Sequence, residues 1–415
     1  MEGVPAQTAF GTGGDATGAN VTRAVEILSR LVSFKSVCGG PNLDIVSYIS
    51  AYLAQYGVAS TIIYDATKTK ASLLATIGPS DKPGVVLSAH TDVVLAEGQN
   101  WSTPPFTATR SGERISGRGT TDMKGFVALV LAHVPQFRAA SLAAPIHIAL
   151  SYDEELGCKG APDLAAAVAA LPSRPLLCLV GEPTKMRVVR GHKGKVARRI
   201  TIYGRGGHSA YPDRGANAVY AAAEIAIGLR GLGRECALRE EAPGFDPAYA
   251  TVHVGSLHSG NVLNLIPEKA VLEFEIRFTP ATNIPALLAR VDTLVASALA
   301  PLQAVAPDAY AEIENLIDYP GLDIAAESAQ VALVRTLAAS QDTAATISFG
   351  TDAGIFAAAG VPSLVCGPGD ISRAHIADEW IGTDELADAS RMLDRLTALL
   401  LRPGWDASLQ HQGKR

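Results

Sequence analysis

The sequence predicts an α/β protein in two parts, a mixed-sheet unit interrupted by an inserted α+β unit. Three observations carry that expectation. Apolar stripes of helical period alternate with short apolar runs through the first part of the chain. From Lys193 to Tyr319 the order becomes strand, helix, strand, strand, helix, strand. After Tyr319 the alternation of helix and strand returns, so the first unit is split by the second.

Taken in order, helix signals come first, at Ala24, Ile27, Leu28 and Leu31 and then at Leu43, Val46, Ile49 and Leu53, the second ended by Gly57. Strand-like runs follow at Ser72–Ile77, Val85–Ala89, Ile146–Tyr152 and Leu176–Val180, with helical patterns at Lys124–Arg138 and Pro162–Ala170. The insert reads as strand Val196–Tyr203, helix Ala216–Leu232, strands Thr251–Leu257 and Val271–Phe278, helix Ile284–Ala300 and strand Ala311–Ile317. That is the order of a ferredoxin-like split βαβ unit. A helix at Ala325–Ala339, strands at Thr346–Phe349 and Ser363–Cys366 and a helix at Glu385–Leu401 complete the chain. The expected limits are 21–192 with 320–415 for the main unit, 193–319 for the insert, and a flexible tail over 1–20.

Composition narrows the class. The chain is 48% hydrophobic and 18% charged, which suits a compact globular protein. With 35 Lys and Arg against 41 Asp and Glu the net charge is −6, so no basic footprint for nucleic acid or an anionic membrane is present. The longest uncharged stretch, Ala353–Gly369, is broken by glycines and prolines and reads as strand and turns; no membrane-spanning helix is expected. Met1–Asn20 lacks the basic start and apolar run of a secretory signal, so a cytoplasmic location is expected. Cys38, Cys158, Cys178, Cys236 and Cys366 are odd in number and form no C-x-x-C pair, the pattern of reduced thiols, which leaves oxygen and nitrogen donors for any metal.

The chemistry gathers at strand ends. Val85–Ala89 runs into His90-Thr91-Asp92, Ile146–Tyr152 into Asp153-Glu154-Glu155, and Leu176–Val180 into Gly181-Glu182. Ligands in open α/β sheets bind at the carboxyl ends of strands. A glycine-rich loop, Gly117–Gly125, presents Asp122 just before an apolar helix. Taken alone, Asp122 is equally well a helix N-cap, and an exposed Asp or Glu is usually solvated surface. Their shared placement shifts the weight, because carboxylates crowded at one rim repel unless a cation neutralises them. Carboxylate and imidazole without thiolate suit zinc, cobalt or manganese, and the number of candidates allows a bridged pair of ions. His133 and His147 lie in apolar surroundings and read as core histidines. Gly191-His192-Lys193-Gly194-Lys195 lacks phosphate-loop spacing, and no Gly-x-Ser-x-Gly elbow supports a serine hydrolase.

The segments Ser88–Val94, Gly117–Gly125, Ser151–Cys158, Gly181–Thr184 and Gly207–Ala210, in that order, resemble the co-catalytic metallopeptidase family of aminoacylases, desuccinylases and carboxypeptidases. Arg190–Gly194, Phe349–Gly354 and the run from Cys366 to His375 resemble its acetylornithine deacetylase branch in particular. The resemblance implies a zinc-peptidase-like mixed-sheet catalytic domain carrying a ferredoxin-like lid and dimerisation domain. It implies two divalent ions, Zn2+ or Co2+, with His90 and Glu182 on one, Glu155 and His375 on the other, and Asp122 bridging. Asp92 would bond the far nitrogen of His90, and Glu154 would be the general base. His208 would donate to the developing oxyanion, in its own or the partner subunit. Asn264 would contact the substrate and Arg277 its α-carboxylate; read by itself, Arg277 is also a strand-face ion pair.

Two departures bear on substrate: Asp352 stands where the branch has Glu, and Gly204–Pro212 looks more like the general family. The implied activity is a metal-dependent amidohydrolase taking the acyl group from an N-acyl amino acid, N-acetylornithine foremost, in arginine biosynthesis. Succinyl-diaminopimelate desuccinylase and carboxypeptidase or dipeptidase are the enzymatic alternatives, and a non-catalytic metal- or amino-acid-binding homologue is the alternative of another class. A small-molecule substrate and a homodimer are expected; nucleic acid and membrane are not.

Overall fold

A computed structural model describes residues 14–239 and 242–410. The chain forms two compact units. The main one comprises the chain up to Arg190, Ile324–Ala345 and the chain from Thr351; the second comprises Gly191–Asp323 with Thr346–Gly350. The segment 346–350, which the sequence assigns to the main unit, thus belongs to the second: the Thr346 hydroxyl donates to the Gly244 carbonyl and Ser348 to that of Asp246.

The main unit is built on one large mixed sheet. Six of its nine strands lie in the order Ser60–Tyr64, Ala71–Ile77, Ile146–Ser151, Val85–His90, Leu177–Pro183, Ser363–Gly367. The last four run parallel, and the first two add an antiparallel edge. Buried residues fill all of Val85–His90, Ile146–Ser151 and Leu177–Pro183, the continuous apolar pattern of strands covered on both faces. Parallel pairing with Val85 opposite both Ile146 and Leu177 brings the carboxyl ends of three strands to one rim. That register places His90, the acids after Ser151, and Glu182 together.

Helices Gly14–Ser33, Leu43–Gln55, Gly125–Ala139 and Thr383–Leu400 pack into the same core through Leu28, Leu31, Ile49, Leu53, Phe126, Val130, Leu393 and Leu396. Each such side chain, fully buried, contributes about 1.5–3 kcal/mol. The segment expected as a tail is helical from Gly14 onward, and residues 1–13 lie outside the described part. Thr17 donates to Asp394 at 2.7 Å and Asn20 to Gln136 at 2.8 Å, so these polar residues dock the helix instead of fraying it.

The second unit is a four-stranded antiparallel sheet in the order Thr251–Ser259, Lys269–Phe278, Gly194–Tyr203, Tyr310–Tyr319. Numbered along the chain this is 2-3-1-4, the ferredoxin-like arrangement. Lys269–Phe278 alternates buried with half-buried residues, as a sheet covered on one face should. Helix Ile284–Val305 is long and apolar enough to cross a membrane by length and composition, which the sequence reading did not anticipate. It carries Arg290 and Asp292, and its stripe of Leu287, Val291, Val295, Ala298 and Leu302 lies in the insert's core with Leu229 and Ile276. On the other face Arg199 bonds both Glu273 and Glu314 at 2.7 Å, so the Arg198-Arg199 pair is tied into a cross-strand ladder rather than merely solvated.

Two predictions follow from the packing. A Cβ on Gly181 would lie 2.1 Å from the Phe126 ring, so the strand before Glu182 tolerates no side chain there. Gly181→Ala is expected to lower stability by about 1–3 kcal/mol, read from the denaturant midpoint; an unchanged midpoint would contradict this packing. The second concerns His147, 1% exposed, whose Nδ1 meets the Thr76 hydroxyl at 2.9 Å while Nε2 has no partner among the described residues. Burial pushes its pKa down to about 4. Because the unfolded chain takes up this proton near pH 6.5, its contribution is complete above that pH and lost as pH falls toward 4. A His147→Phe variant should show a shallower decline of the urea midpoint over that window than the parent.

Candidate metal centre

At the end of strand Val85–His90 the imidazole of His90 is 1% exposed. Its Nδ1 lies 3.0 Å from the main-chain carbonyl of Asp92, which can only accept, so Nδ1 carries a proton. Its Nε2 faces Asp122 Oδ1 at 3.0 Å and Glu182 Oε1 at 3.8 Å. The Asp92 carboxylate stands 3.6 Å from Nδ1, and its two oxygens accept the backbone N–H groups of Glu154 and Glu155 at 3.2 Å. The chain folds back after the strand, so the carbonyl reaches the ring first and the carboxylate is left to hold the loop carrying the next two acids.

Asp122 is 6% exposed and comes from the loop between Gly117 and the helix Gly125–Ala139. Gly119 starts that turn at φ 83°, a left-handed conformation favouring glycine. The loop is clamped by Glu379, a residue that sequence reasoning missed. Glu379 Oε1 accepts Thr121 N at 2.8 Å and Asp122 N at 3.0 Å; Oε2 accepts Gly119 N at 2.9 Å and Arg118 Nη1 at 2.8 Å. The one signal available was a carboxylate four residues after His375, just before the run Trp380–Gly382. Lys124, fully buried, donates to the Phe34 carbonyl at 2.9 Å, and burial pushes its ammonium down to about 7.

His375 closes the other side. It sits at φ 64°, with its Nε2 2.9 Å from Glu155 Oε1 and 3.4 Å from Asp122 Oδ2. Two three-donor groups result, His90 with Asp122 and Glu182, and Asp122 with Glu155 and His375; within each, the donor atoms lie within 4.8 Å of one another. Glu154 belongs to neither group. It joins a third set with Cys158 and Asp352, and its Oε1 is 3.7 Å from the Cys158 sulfur.

The electrostatics state what the cluster needs. Burial, with Glu182 and Glu155 nearby, holds Glu154 well above the usual carboxylate range. Burial and Asp122 do the same to Glu182 and raise Glu155. Burial would lower His90, but the Asp122 and Asp92 carboxylates beside it outweigh that and raise it well above the ordinary value. Bonds to Asp122 and Glu155 push His375 up to about 10. For Asp122, burial favours the neutral acid, yet the bonds from His375 and His90 prevail and hold it below the usual range. A site of carboxylates and imidazoles that demands positive charge from every side fits divalent cations with oxygen and nitrogen donors.

His208, Asn264 and Arg277 lie in the second unit. His208 pairs in register with Leu265, and Ser209 N donates to the Asn264 carbonyl at 3.1 Å. The His208 Nδ1 accepts Ala210 N at 3.0 Å, so its proton resides on Nε2. Arg277 bonds Glu275 at 2.9 Å, which is the strand-face ion pair read as its alternative. His133 and His147 are core residues, at 0% and 1% exposure.

A mixed α/β unit that brings two carboxylate-and-imidazole groups to its strand ends, joined through one aspartate, defines the class of fold and site. The chain belongs to Peptidase family M20/M25/M40, whose model matches residues 86–398. It is 32% identical over 335 residues to the acetylornithine deacetylase of Aliivibrio salmonicida, covering 80% of this chain and 85% of that one. Its fold resembles an M20 family metallo-carboxypeptidase from Sulfolobus solfataricus, with a TM-score of 0.73 at 17% identity over 91% of this chain and 99% of that one. It also resembles a dinuclear metal-binding M20 peptidase from Bacillus subtilis, with a TM-score of 0.63 at 17% identity over 92% and 99%. The protein is a hydrolase acting on amide bonds.

Sharing one carboxylate predicts an asymmetric response to ligand loss. Asp122→Ala should lose both metal equivalents on elemental analysis, whereas His375→Ala should lose one. An Asp122→Ala protein that keeps two equivalents would remove this residue from the shared position.

Proposed function

We propose that the protein removes the acyl group from an N-acyl amino acid, converting N-acetylornithine to ornithine and acetate in cytoplasmic arginine biosynthesis. The observation that carries this reading is the placement of Glu154, half-buried beside two three-donor groups and outside both of them. Support for the substrate comes from relatives named acetylornithine deacetylase that cover most of the chain.

His90 and Glu182 would hold one divalent ion and Glu155 and His375 the other, with Asp122 shared between the two groups; zinc or cobalt would satisfy these donors. When bound, such ions polarise the amide carbonyl and bring the pKa of water down toward ~7. Glu154 takes a proton from the attacking water and returns it to the amine nitrogen as the carbon–nitrogen bond breaks. Asp92 holds the backbone of Glu154 and Glu155, so the base keeps its aim while its neighbour serves as ligand. His208 donates from Nε2 to the oxyanion, a role suited to the tautomer its Nδ1 contact selects. Asn264 contacts the substrate. Arg277 receives the α-carboxylate, which must compete with Glu275 for the guanidinium. The inserted unit serves as lid and homodimer interface.

A panel of N-acetylornithine, N-succinyl-diaminopimelate and dipeptides, assayed with and without chelator and after adding zinc or cobalt back, tests the reading. Fast, chelator-sensitive release of acetate from N-acetylornithine is expected; cleavage of another member alone would retain the site chemistry and refute the substrate. Glu154→Ala should keep its metal while turnover falls by about 10²–10⁴-fold. His208→Ala with unchanged turnover would sink the oxyanion assignment.

A further inference from the structure

We propose that Glu154, Cys158 and Asp352 form a separate cation site for a thiophilic divalent ion such as Zn2+ or Cd2+, and that filling it switches hydrolysis off by engaging Glu154. The inhibitory consequence rests on Glu154 acting as the base; the site itself does not.

The three donors come from two chain segments and converge. Gly157 N and Cys158 N both donate to the Glu154 carbonyl at 2.9 Å, a single turn that brings the Cys158 thiol back to within 3.7 Å of the Glu154 carboxylate. Cys158 adopts φ 58° to do so, a conformation a side-chain-bearing residue keeps only when its surroundings hold it there. Asp352 enters from the loop ahead of helix Ala353–Ala358. The carboxylate and thiol donor atoms of the three residues lie within 4.8 Å of one another.

Asp352 supplies the independent observation. It is 1% exposed, and its Oδ2 accepts the Ser151 hydroxyl at 2.6 Å. Its Oδ1 is buried without a well-formed hydrogen bond among the described residues, and the Cys158 thiol, a weak donor, is the group its carboxylate meets inside the cluster. A buried carboxylate oxygen so poorly satisfied is costly, and a cation would satisfy it together with Glu154. The Glu154–Cys158 spacing of 3.7 Å is near the separation of about 3.5 Å between neighbouring ligands of a tetrahedral zinc.

The donor set also separates this site from the Asp122-centred pair. That pair offers imidazole and carboxylate; this one offers a thiol, which favours softer ions. On binding, the Cys158 S–H bond breaks, its proton passes to solvent, and the thiolate electron pair forms the sulfur–metal bond with no change of oxidation state. Burial and the neighbouring Glu154 and Asp352 keep the thiol protonated, so it stays inert toward oxidants until a cation takes up the charge of both acids.

Titration of the full-length protein with Cd2+ tests the site directly. A thiolate-to-cadmium ultraviolet band should appear beyond the second equivalent. It should vanish in Cys158→Ser, persist in Cys38→Ser, and need at least tenfold more Cd2+ in Asp352→Asn. In parallel, excess Zn2+ should inhibit hydrolysis by the parent, while Cys158→Ser, measured against its own rate without excess metal, resists the excess. No band, or a band that survives Cys158→Ser, overturns the proposal, and so does inhibition that the Cys158→Ser variant retains. Should the protein fail to hydrolyse any N-acyl amino acid, the proposed function falls, and the spectroscopic arm still decides this site.

Discussion

Asp122 sits with an imidazole on either side, His90 at 3.0 Å and His375 at 3.4 Å, and the main unit is organised around keeping it there. A buried carboxylate is tolerated only when it is paired and hydrogen-bonded. Here the pairing comes from two distant chain segments and the backbone support from Glu379, which bonds the N–H groups of Gly119, Thr121 and Asp122. Glu379 also follows His375 closely, so one side chain ties the loop bearing Asp122 to the segment bearing His375. The second layer of the site is thus as acidic as the first, and it survives burial because its oxygens are filled by backbone donors and Arg118.

The same economy recurs at Asp92. Its carbonyl orients His90 while its carboxylate holds the backbone of Glu154 and Glu155. A single residue thereby couples the tautomer of one donor to the position of another donor and of the group beside it. Asp352 breaks this pattern. Its Oδ2 takes the Ser151 hydroxyl, its Oδ1 has no well-formed hydrogen bond among the described residues, and its carboxylate stands with Glu154 and Cys158. That grouping is the place proposed for a cation.

Much of the main unit was legible because its signals are local. Short, β-branched apolar runs such as Val85–Ala89 and Ile146–Tyr152 read as buried strands, and the residues that end them are readable without knowing what they face. The edge strand Ser60–Tyr64 was missed, since its mixture of exposed and half-buried residues carries no clear period. The helix from Gly14 was read as a tail because its docking relies on Asn20 and Thr17 finding Gln136 and Asp394, partners more than a hundred residues away. Glu379 was missed for the same reason: nothing beside it in the chain shows that three backbone N–H groups of another loop will point at it.

What the sequence determined by itself was the alternation that splits one α/β unit with a ferredoxin-like insert, and the residue types delivered to the strand ends. These follow from periodicity and chain order, which are properties of neighbours. Only the tertiary structure decided that Asp122 stands between both imidazoles and that the carbonyl of Asp92 lies nearest the His90 ring. It also decided that Arg277 is paired with Glu275 and that Asp352 stands with Glu154 and Cys158. Each of these depends on the register of parallel strands and on loops closing over tens to hundreds of residues, where a displacement of about one ångström changes which atom makes the bond.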